Sequence, residues 1–245
     1  MKALFNFFTA GTCVKFVENQ IMVLIVHYFD ASDHKKTREW RLSGGTIQLF
    51  DVVLGLEKSA HRIGLDMDKL LWLKDEINKI ISNHTKKVDS MPCKTNFEKV
   101  AIRNEFVNTL NVISDAIEPV IYRADHIKII ENETKKVTLS RELLEETATT
   151  SFKDIVECGF LERNAGHIQY PFLVLGSDAP EKYTGCSDPD IEWSEWHPLS
   201  EVCENIYINH RPFLHNTLSH LEMILSYEKD KQVFVDQIKA CLKPN

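Results

Sequence analysis

Glycine is scarce in this chain of 245 residues, which contains nine of them. That is about half the usual share of roughly 7%, so the shortage argues against glycine-punctuated barrels, collagen and low-complexity linkers. Helices are expected to be plentiful, above all between Gly64 and Gly159, where no glycine occurs. With 43% hydrophobic and 27% charged residues, the chain has the composition of a globular protein that buries a core.

An excess of basic residues is also lacking. The formal net charge is −7 at pH 7, and non-specific nucleic-acid binding is not expected because it needs a concentrated basic face. The most apolar window, residues 21–26, is about a third of the roughly 20 residues that a membrane span needs, so no membrane association is expected. A short apolar run near the N-terminus is interrupted by Asn6, and we predict no cleaved signal peptide.

Closely spaced cysteine pairs are absent as well. The six cysteines are scattered and form no CxxC motif, so neither a zinc knuckle nor a disulfide framework is predicted. We interpret all six as reduced thiols, which favours a cytoplasmic location.

The pattern along the chain predicts strands at both ends and helices between them. Residues 20–54 contain three apolar, β-branched segments that we predict as strands, IMVLIVHYF, TREWRL and TIQLFDVVL, and Ser43-Gly44-Gly45 marks a turn between the last two. Apolar residues at three- and four-residue spacing predict a helix over 66–83, and Thr95 or Asn96 is a candidate cap for a second helix.

The second half of the chain is predicted to contain a third helix over 137–147, three short strands, and one or two helices over 212–242. Strands, helices, further strands and terminal helices together predict a mixed α/β sandwich with a helical insertion.

The run RELLEE at 141–146 gathers carboxylates on one helix face. At 100° per residue, Glu142, Glu145 and Glu146 fall within an arc of roughly 100°. Like charges in such an arc repel, and a divalent cation with a preference for oxygen ligands, Mg²⁺ or Mn²⁺, would offset that cost. Arg141 would orient one of the carboxylates. The alternative is a solvated helix face, because Glu and Arg are good helix formers.

The segment HIKIIENETKKVTLSRELLEETATT resembles the Nudix box of diphosphate hydrolases, which is Gly, five residues, Glu, seven residues, then Arg-Glu-aliphatic-any-Glu-Glu-any-Gly-aliphatic. Glu133 matches the isolated glutamate, and Arg141, Glu142, Glu145 and Glu146 match their positions without a gap. In contiguous register, however, the opening glycine falls on Ile127.

A second alignment of the chain with the opening of the box is possible. Residues 40–45, WRLSGG, are similar to the strand and Gly-Gly turn that enter the box in many Nudix members. Gly45 would then be the missing glycine, and residues 46–132 would be an insertion inside the box. We favour this register. Residues 190–201, IEWSEWHPLSE after Asp190, look like the late strand of Nudix domains.

The resemblance implies a Nudix-like mixed-sheet sandwich with helices on both sides. We expect N-terminal strands in 1–45, a largely helical insertion in 46–130, and the rest of the catalytic region in 131–245. It implies a metal-dependent hydrolase that cleaves the diphosphate of a nucleoside diphosphate derivative, of the ADP-ribose or UDP-sugar type. The alternative is a Nudix-fold protein without catalysis that binds a nucleotide or a partner.

The resemblance also implies roles for single residues. Glu142, Glu145 and Glu146 would hold Mg²⁺ or Mn²⁺ with the Gly45 carbonyl, Arg141 would orient them, and one glutamate would serve as base. Glu133 would be a supporting acid near the substrate. Aromatic rings could stack on a base, and the candidates are Tyr170, Trp193 and Trp196. A homodimer is expected from the nucleotide-sugar branch.

Overall fold

The computed structural model describes residues 6–29, 38–92, 95–121, 123–163, 167–186 and 188–243. Its nine strands are β1 (Phe7–Val17), β2 (Gln20–Phe29), β3 (Arg38–Arg41), β4 (Ser43–Thr46), β5 (Asp154–Glu157), β6 (Leu161–Arg163), β7 (His167–Leu175), β8 (Lys182–Tyr183) and β9 (Ile191–Pro198). Its α-helices are α1 (Leu49–Ala60), α2 (Met67–Asp89), α3 (Asn96–Ile117), α4 (Ala124–Thr147), α5 (Leu199–Asn205), α6 (Arg211–Leu225) and α7 (Gln232–Leu242).

The chain divides into two compact units. The helical unit consists of Met1–Phe7 and Ile47–Thr138, and the sheet unit consists of Phe8–Thr46 and Leu139–Asn245. Helix α4 contributes residues to both.

All nine strands belong to one sheet, whose main path runs β5-β7-β1-β2-β9-β8. The short strands β3, β4 and β6 pair with β2, β1 and β7. The hairpin of β1 and β2 is antiparallel and closes at Val17 and Gln20, with Glu18 at a φ of 54° in the turn. The sequence analysis did not predict β1, because its first residues lie in the apolar run considered as a signal peptide.

Helices of the sheet unit pack on both faces of the sheet. On one face, the Thr217 hydroxyl of α6 donates to the Thr12 hydroxyl of β1 over 2.8 Å. On the other, a Cβ added at Gly11 would lie 3.0 Å from Leu139 of α4. Successive strand residues point to opposite faces, which is why neighbours in β1 contact different helices. The predicted α/β class, with helices on both sides of a sheet, is confirmed.

The predicted helices over 66–83 and from Thr95 are confirmed. Helix α2 extends to Asp89, and Asp66 caps it by accepting a hydrogen bond from the Lys69 amide. Thr95 caps α3 in a capping box with Glu98. The predicted helix over 137–147 is the C-terminal half of α4, which begins at Ala124.

The prediction of a strand over TIQLFDVVL is wrong, because α1 begins at Leu49. A short apolar run fits a buried strand and a buried helix equally well by periodicity. The Asp51 side chain favours the helix, because it accepts a hydrogen bond from the Gln48 amide and completes a capping box at the start of α1.

The interpretation of all six cysteines as reduced thiols is also wrong. Cys203 of α5 and Cys241 of α7 form a disulfide across 38 residues of sequence, whereas Cys13, Cys158 and Cys186 are free thiols. Separations of this length carry no local signal, so a scattered cysteine pattern does not exclude a bond that tertiary structure creates. Among the described residues, no helix has both the length and the apolar composition required to cross a membrane.

In the helical unit, α1 lies close to α4 at Gly55. A Cβ at this position would lie 2.1 Å from the Thr134 hydroxyl and 2.8 Å from the Thr134 backbone. The Thr134 hydroxyl itself donates to the Ile130 carbonyl over 2.8 Å, so it is fixed in place.

We therefore expect Gly55→Ala to destabilise the protein by about 1–3 kcal/mol through overpacking. An isolated helix would instead gain about 1 kcal/mol from the same change. Urea unfolding measures the difference, with the exposed Lys58→Ala as the control on the same helix. A variant as stable as the parent would show that the helices separate freely at this crossing.

Candidate functional site

The last turns of α4 and strand β4 lie together in the sheet unit. The prediction of a turn at Ser43-Gly44-Gly45 is wrong, because these residues belong to β4 and pair with β1. Gly44 approaches β1 so closely that a Cβ on it would lie 2.2 Å from the Thr9 carbonyl oxygen. A Cβ on Gly45 would lie 2.0 Å from Glu142 Oε1 and 2.3 Å from its carboxyl carbon. Only glycine leaves room for the Glu142 carboxylate where the structure has it.

Arg141 engages two of the three glutamates. Its Nη1 lies 2.8 Å from Glu142 Oε1 and 3.0 Å from Glu145 Oε2. Its Nη2 donates to the Thr46 carbonyl over 3.1 Å. The guanidinium therefore ties the carboxylates of α4 to the end of β4, which is an orienting arrangement.

Glu146 also reaches β4 and accepts a hydrogen bond from the Gly44 amide over 3.0 Å. Burial raises the pKa of the Glu146 carboxyl to about 8, and the nearby charges of Glu142 and Asp188 add to the rise. The hydrogen bond from the Gly44 amide opposes it. This carboxyl titrates near neutral pH, in contrast to an ordinary glutamate.

A cavity of about 350 Å³ opens beside these residues. That volume is within the roughly 300–1,000 Å³ of small-molecule sites. The described residues that line it are Phe8, Val26, Tyr28, Arg41, Leu42, Gly44, Gly45, Glu142, Glu146, Asp188 and His210.

Arg41 is the cation of this cavity. Its guanidinium lies 3.5 Å from the centre of the Tyr28 ring and pairs with Glu39 through Nε at 2.8 Å and Nη2 at 2.5 Å. Tyr28 in turn donates its hydroxyl to Asp190 over 2.9 Å. The cavity thus combines two carboxylates at one side with a fixed guanidinium and an aromatic ring at the other.

A larger cavity of about 460 Å³ lies among α5, α6 and α7, next to the disulfide. Its polar lining includes Glu204, Arg211 and His215. We take the smaller cavity as the candidate site because it holds the carboxylate pair and the group with a perturbed pKa.

The donor chemistry of the cavity fits a hard divalent cation in part. Glu142 and Glu146 are oxygen donors. Burial is the main cause of the raised pKa of Glu146, and the repulsion that adds to it would be offset by a cation between the two carboxylates. Glu145, which Arg141 holds, is not among the described lining residues. Among the described residues, one set of three His, Cys, Asp or Glu ligand atoms lies within 4.8 Å, and the three glutamates are not that set.

The other residues proposed from sequence lie elsewhere. Glu133 belongs to the helical unit, where it pairs with Arg62 at 2.7 Å and Lys136 at 3.2 Å. Tyr170, Trp193 and Trp196 are not among the described residues that line the cavity. The two tryptophans point to opposite faces of the sheet, because Trp193 pairs in register with His27 and Trp196 with Leu24.

The sequence analysis missed most residues of the cavity, among them Tyr28, Arg41 and Asp188. Tyr28 and Arg41 share a sheet face through the register that pairs Val26 with Arg41, a non-local fact that no motif encodes. Asp188 lies between β8 and β9, and we find no sequence signal that distinguishes it from other acidic loop residues.

A scan against protein-family models and a search of curated proteins both find no match. Solved structures do match. The NUDIX domain of Shewanella oneidensis NrtR complexed with ADP ribose has a TM-score of 0.44 and 13% identity, with 88% of this chain and 87% of that chain covered.

A mutT/nudix family protein from Listeria innocua has a TM-score of 0.40 and 12% identity, with coverage of 91% and 97%. Shewanella oneidensis NrtR complexed with a 27mer DNA has a TM-score of 0.41 and 13% identity, with coverage of 89% and 62%. With identities and TM-scores this low, we draw nothing from these likenesses about activity, substrate or partner.

The contact between Gly45 and Glu142 can be tested by a double-mutant cycle. We expect Gly45→Ala to destabilise the protein by up to about 1 kcal/mol, because the new methyl group turns the flexible Glu142 side chain away and weakens its ion pair with Arg141. In a Glu142→Ala background, Gly45→Ala displaces no carboxylate, so it should change the free energy of unfolding very little. Urea unfolding of the four proteins gives the coupling energy, and a coupling near zero would contradict the contact.

The raised pKa of Glu146 predicts how stability depends on pH in metal-free buffer. The folded-state pKa of about 8 exceeds the ordinary value of 4.5, so the folded protein binds an extra proton between these pH values. The stabilisation that this extra proton provides is complete below pH 4.5 and is lost as the pH rises through about 8. Glu146→Gln cannot titrate and escapes this loss.

We therefore expect the melting temperature of Glu146→Gln, relative to the parent, to rise steadily from pH 5 to pH 8, as measured by thermal unfolding in EDTA. The exposed Glu228→Gln serves as the matched control, with an offset that does not change with pH. A flat offset for Glu146→Gln would contradict the pKa.

Proposed function

We propose that this protein is a metal-dependent hydrolase that cleaves the diphosphate of a nucleoside diphosphate derivative, of the ADP-ribose or UDP-sugar type. The observation that carries the proposal is the approach of Gly45 to Glu142, together with the hydrogen bond from Gly44 to Glu146. These contacts join the WRLSGG and RELLEE segments, which are far apart in sequence. They support the register in which Gly45 is the glycine of an interrupted Nudix box.

The residues of the cavity suit a substrate that combines negative charge with an aromatic base. Arg41 presents a planar guanidinium, a group that binds phosphate oxygens in pairs. The Tyr28 ring beside it offers a surface for stacking. On this proposal the diphosphate lies between Arg41 and the carboxylates, and the roles of Glu133, Tyr170, Trp193 and Trp196 in substrate binding rest on the resemblance alone.

Glu142 and Glu146 would hold Mg²⁺ or Mn²⁺, and Glu145 would join them if Arg141 released it. The bound cation would neutralise the diphosphate and make a water more acidic. Arg141 orients the carboxylate of Glu142. Glu146 is the base that we propose, because its carboxylate lines the cavity beside the Gly44 amide, where it can accept a proton from an attacking water.

The second candidate is a protein that binds a nucleoside diphosphate derivative without cleaving it. One observation favours it: Arg141 engages Glu142 and Glu145 directly, and the three glutamate side chains do not converge as a ligand set among the described residues. Binding without catalysis would follow if this arrangement persisted in the presence of the cation.

Product analysis separates the two candidates. The full chain is incubated with Mg²⁺ and a panel that includes ADP-ribose and UDP-glucose, and the products are resolved by chromatography. We expect two monophosphate products from at least one compound, and Glu146→Gln should lower kcat by about 10²–10⁴ through loss of the base. Glu228→Gln should leave kcat unchanged.

Calorimetric binding of a compound without any product would favour the binding protein. Equal turnover by the parent and Glu146→Gln would refute the assignment of Glu146. A homodimer, expected from the resemblance, stays a prediction. A cytoplasmic location also stays a prediction, but the disulfide of Cys203 and Cys241 removes the argument from reduced thiols.

A further inference from the structure

A second cluster of metal-ligating side chains lies in the sheet unit, on β2 and β9. These strands pair antiparallel, with Val23 opposite His197, Ile25 opposite Glu195 and His27 opposite Trp193. Alternate residues of paired strands share a face, so the side chains of His27, Glu195 and His197 are brought to the same side. None of the three belongs to the motif at 141–146 or to the described lining of the candidate site.

Three atoms of this cluster face one another. His27 Nε2 lies 3.0 Å from His197 Nε2, and Glu195 Oε1 lies 3.3 Å from each of these nitrogens. Zn²⁺ binds histidine nitrogen and carboxylate oxygen at about 2.0–2.2 Å, so two ligands of a tetrahedral site lie about 3.3 Å apart. The triangle of donor atoms therefore has the dimensions of one face of a tetrahedral zinc site.

We propose that His27, His197 and Glu195 bind a zinc-class divalent cation, at a site separate from the glutamates of α4. Two histidines and one glutamate form a ligand set typical of zinc. Three protein ligands leave the fourth position open to water or another small ligand.

A single shared proton cannot join all three atoms of the triangle. A proton on one of the two Nε2 atoms links two members of the triangle. A cation at the centre accepts a lone pair from all three. The burial of His27, which is 7% exposed, makes an incompletely connected arrangement costly.

The surroundings of the cluster resemble the outer ligands of metal sites. His197 Nδ1 lies 3.5 Å from Glu201 Oε2, and a carboxylate behind the distal nitrogen of a ligating histidine orients the ring. Trp193 Nε1 donates to Glu195 Oε1 over 2.9 Å, and its ring stacks on His27 with centroids 4.5 Å apart. Trp40 packs on His197 with centroids 4.1 Å apart. Lys182, 3.3 Å from Glu195 Oε2, is the one cation here among the described residues whose charge opposes a metal ion.

The proposed zinc site and the candidate active site lie on different faces of the sheet. Val26 and Tyr28 of β2 line the cavity beside the glutamates, and His27 lies between them in sequence. Because successive residues of a strand point to opposite faces, one strand supplies both sites. Variants of one site can therefore be made without touching the other.

The test measures zinc binding by the full chain. The protein is stripped with a chelator, returned to buffer with ZnCl₂, dialysed, and analysed for metal by mass spectrometry. We expect about one zinc per chain. Glu195→Gln keeps the size of the side chain and an oxygen that can accept from Trp193, and it should weaken zinc binding at least tenfold in competition with a chromophoric chelator.

Two controls isolate the cluster. The exposed His215→Gln removes a histidine far from it in sequence, and a variant with Glu142, Glu145 and Glu146 all changed to Gln removes the other candidate site. Both should retain one zinc. His197→Gln is the second cluster variant, and circular dichroism establishes that each variant is folded.

Zinc should also raise the melting temperature of the parent by roughly 5–10 °C at a hundredfold excess over its Kd, because the ion binds the folded state. Glu195→Gln should lose this shift. Cobalt added in place of zinc should give the visible absorption of a tetrahedral ion with the parent. Failure of the stripped parent to bind zinc, or equal zinc binding by Glu195→Gln, would overturn the proposal and show that the cluster is a hydrogen-bonded network only.

Discussion

The candidate active site depends on a close approach between the backbone at Gly45 and the carboxylate of Glu142. Any side chain at position 45 would occupy the space of that carboxylate. Glu142 and Glu146 both approach β4, where burial raises the pKa of Glu146 and the charge of Glu142 adds to the rise. Arg141 and the Gly44 amide offset part of this cost by hydrogen bonding to the two carboxylates. Crowded charge of this kind is common at functional sites, because a ligand cation or a reaction can use it.

Strand β2 contributes residues to both proposed sites. Its successive side chains point to opposite faces, so Tyr28 faces the cavity with the glutamates and His27 faces the cluster with Glu195 and His197. One cluster offers oxygen donors and suits a hard cation, whereas the other offers imidazole nitrogen and suits zinc. The two proposed sites therefore differ in the ions they would select, although they share a strand.

Sequence patterns correctly predicted those helices whose faces and caps are encoded within a few residues. The three- and four-residue spacing of apolar side chains predicted α2, and Thr95 predicted the start of α3, because caps and helix faces are encoded within a few residues. The carboxylates of RELLEE were predicted to share a face for the same reason. The apolar run at Leu49 was predicted wrongly as a strand, since short apolar runs do not distinguish strand from helix.

The parts that sequence reasoning missed all depend on contacts between distant segments. The disulfide of Cys203 and Cys241, the meeting of His27 with His197, and the position of Arg41 over Tyr28 follow from strand register and helix packing. Gly45 could be predicted from sequence in part. The resemblance of WRLSGG to the start of a Nudix box made the glycine a candidate, and its contact with Glu142 gives a physical reason for a glycine at this position.

The most direct test of the account is a crystal grown with Mn²⁺ and a nucleoside diphosphate compound, with diffraction measured at the manganese absorption edge. The account predicts an anomalous peak about 2.2 Å from carboxylate oxygens of Glu142 and Glu146, beside the Gly45 backbone. If the crystal contained the nucleotide but showed no anomalous peak beside these carboxylates, the proposed metal-dependent site would be contradicted.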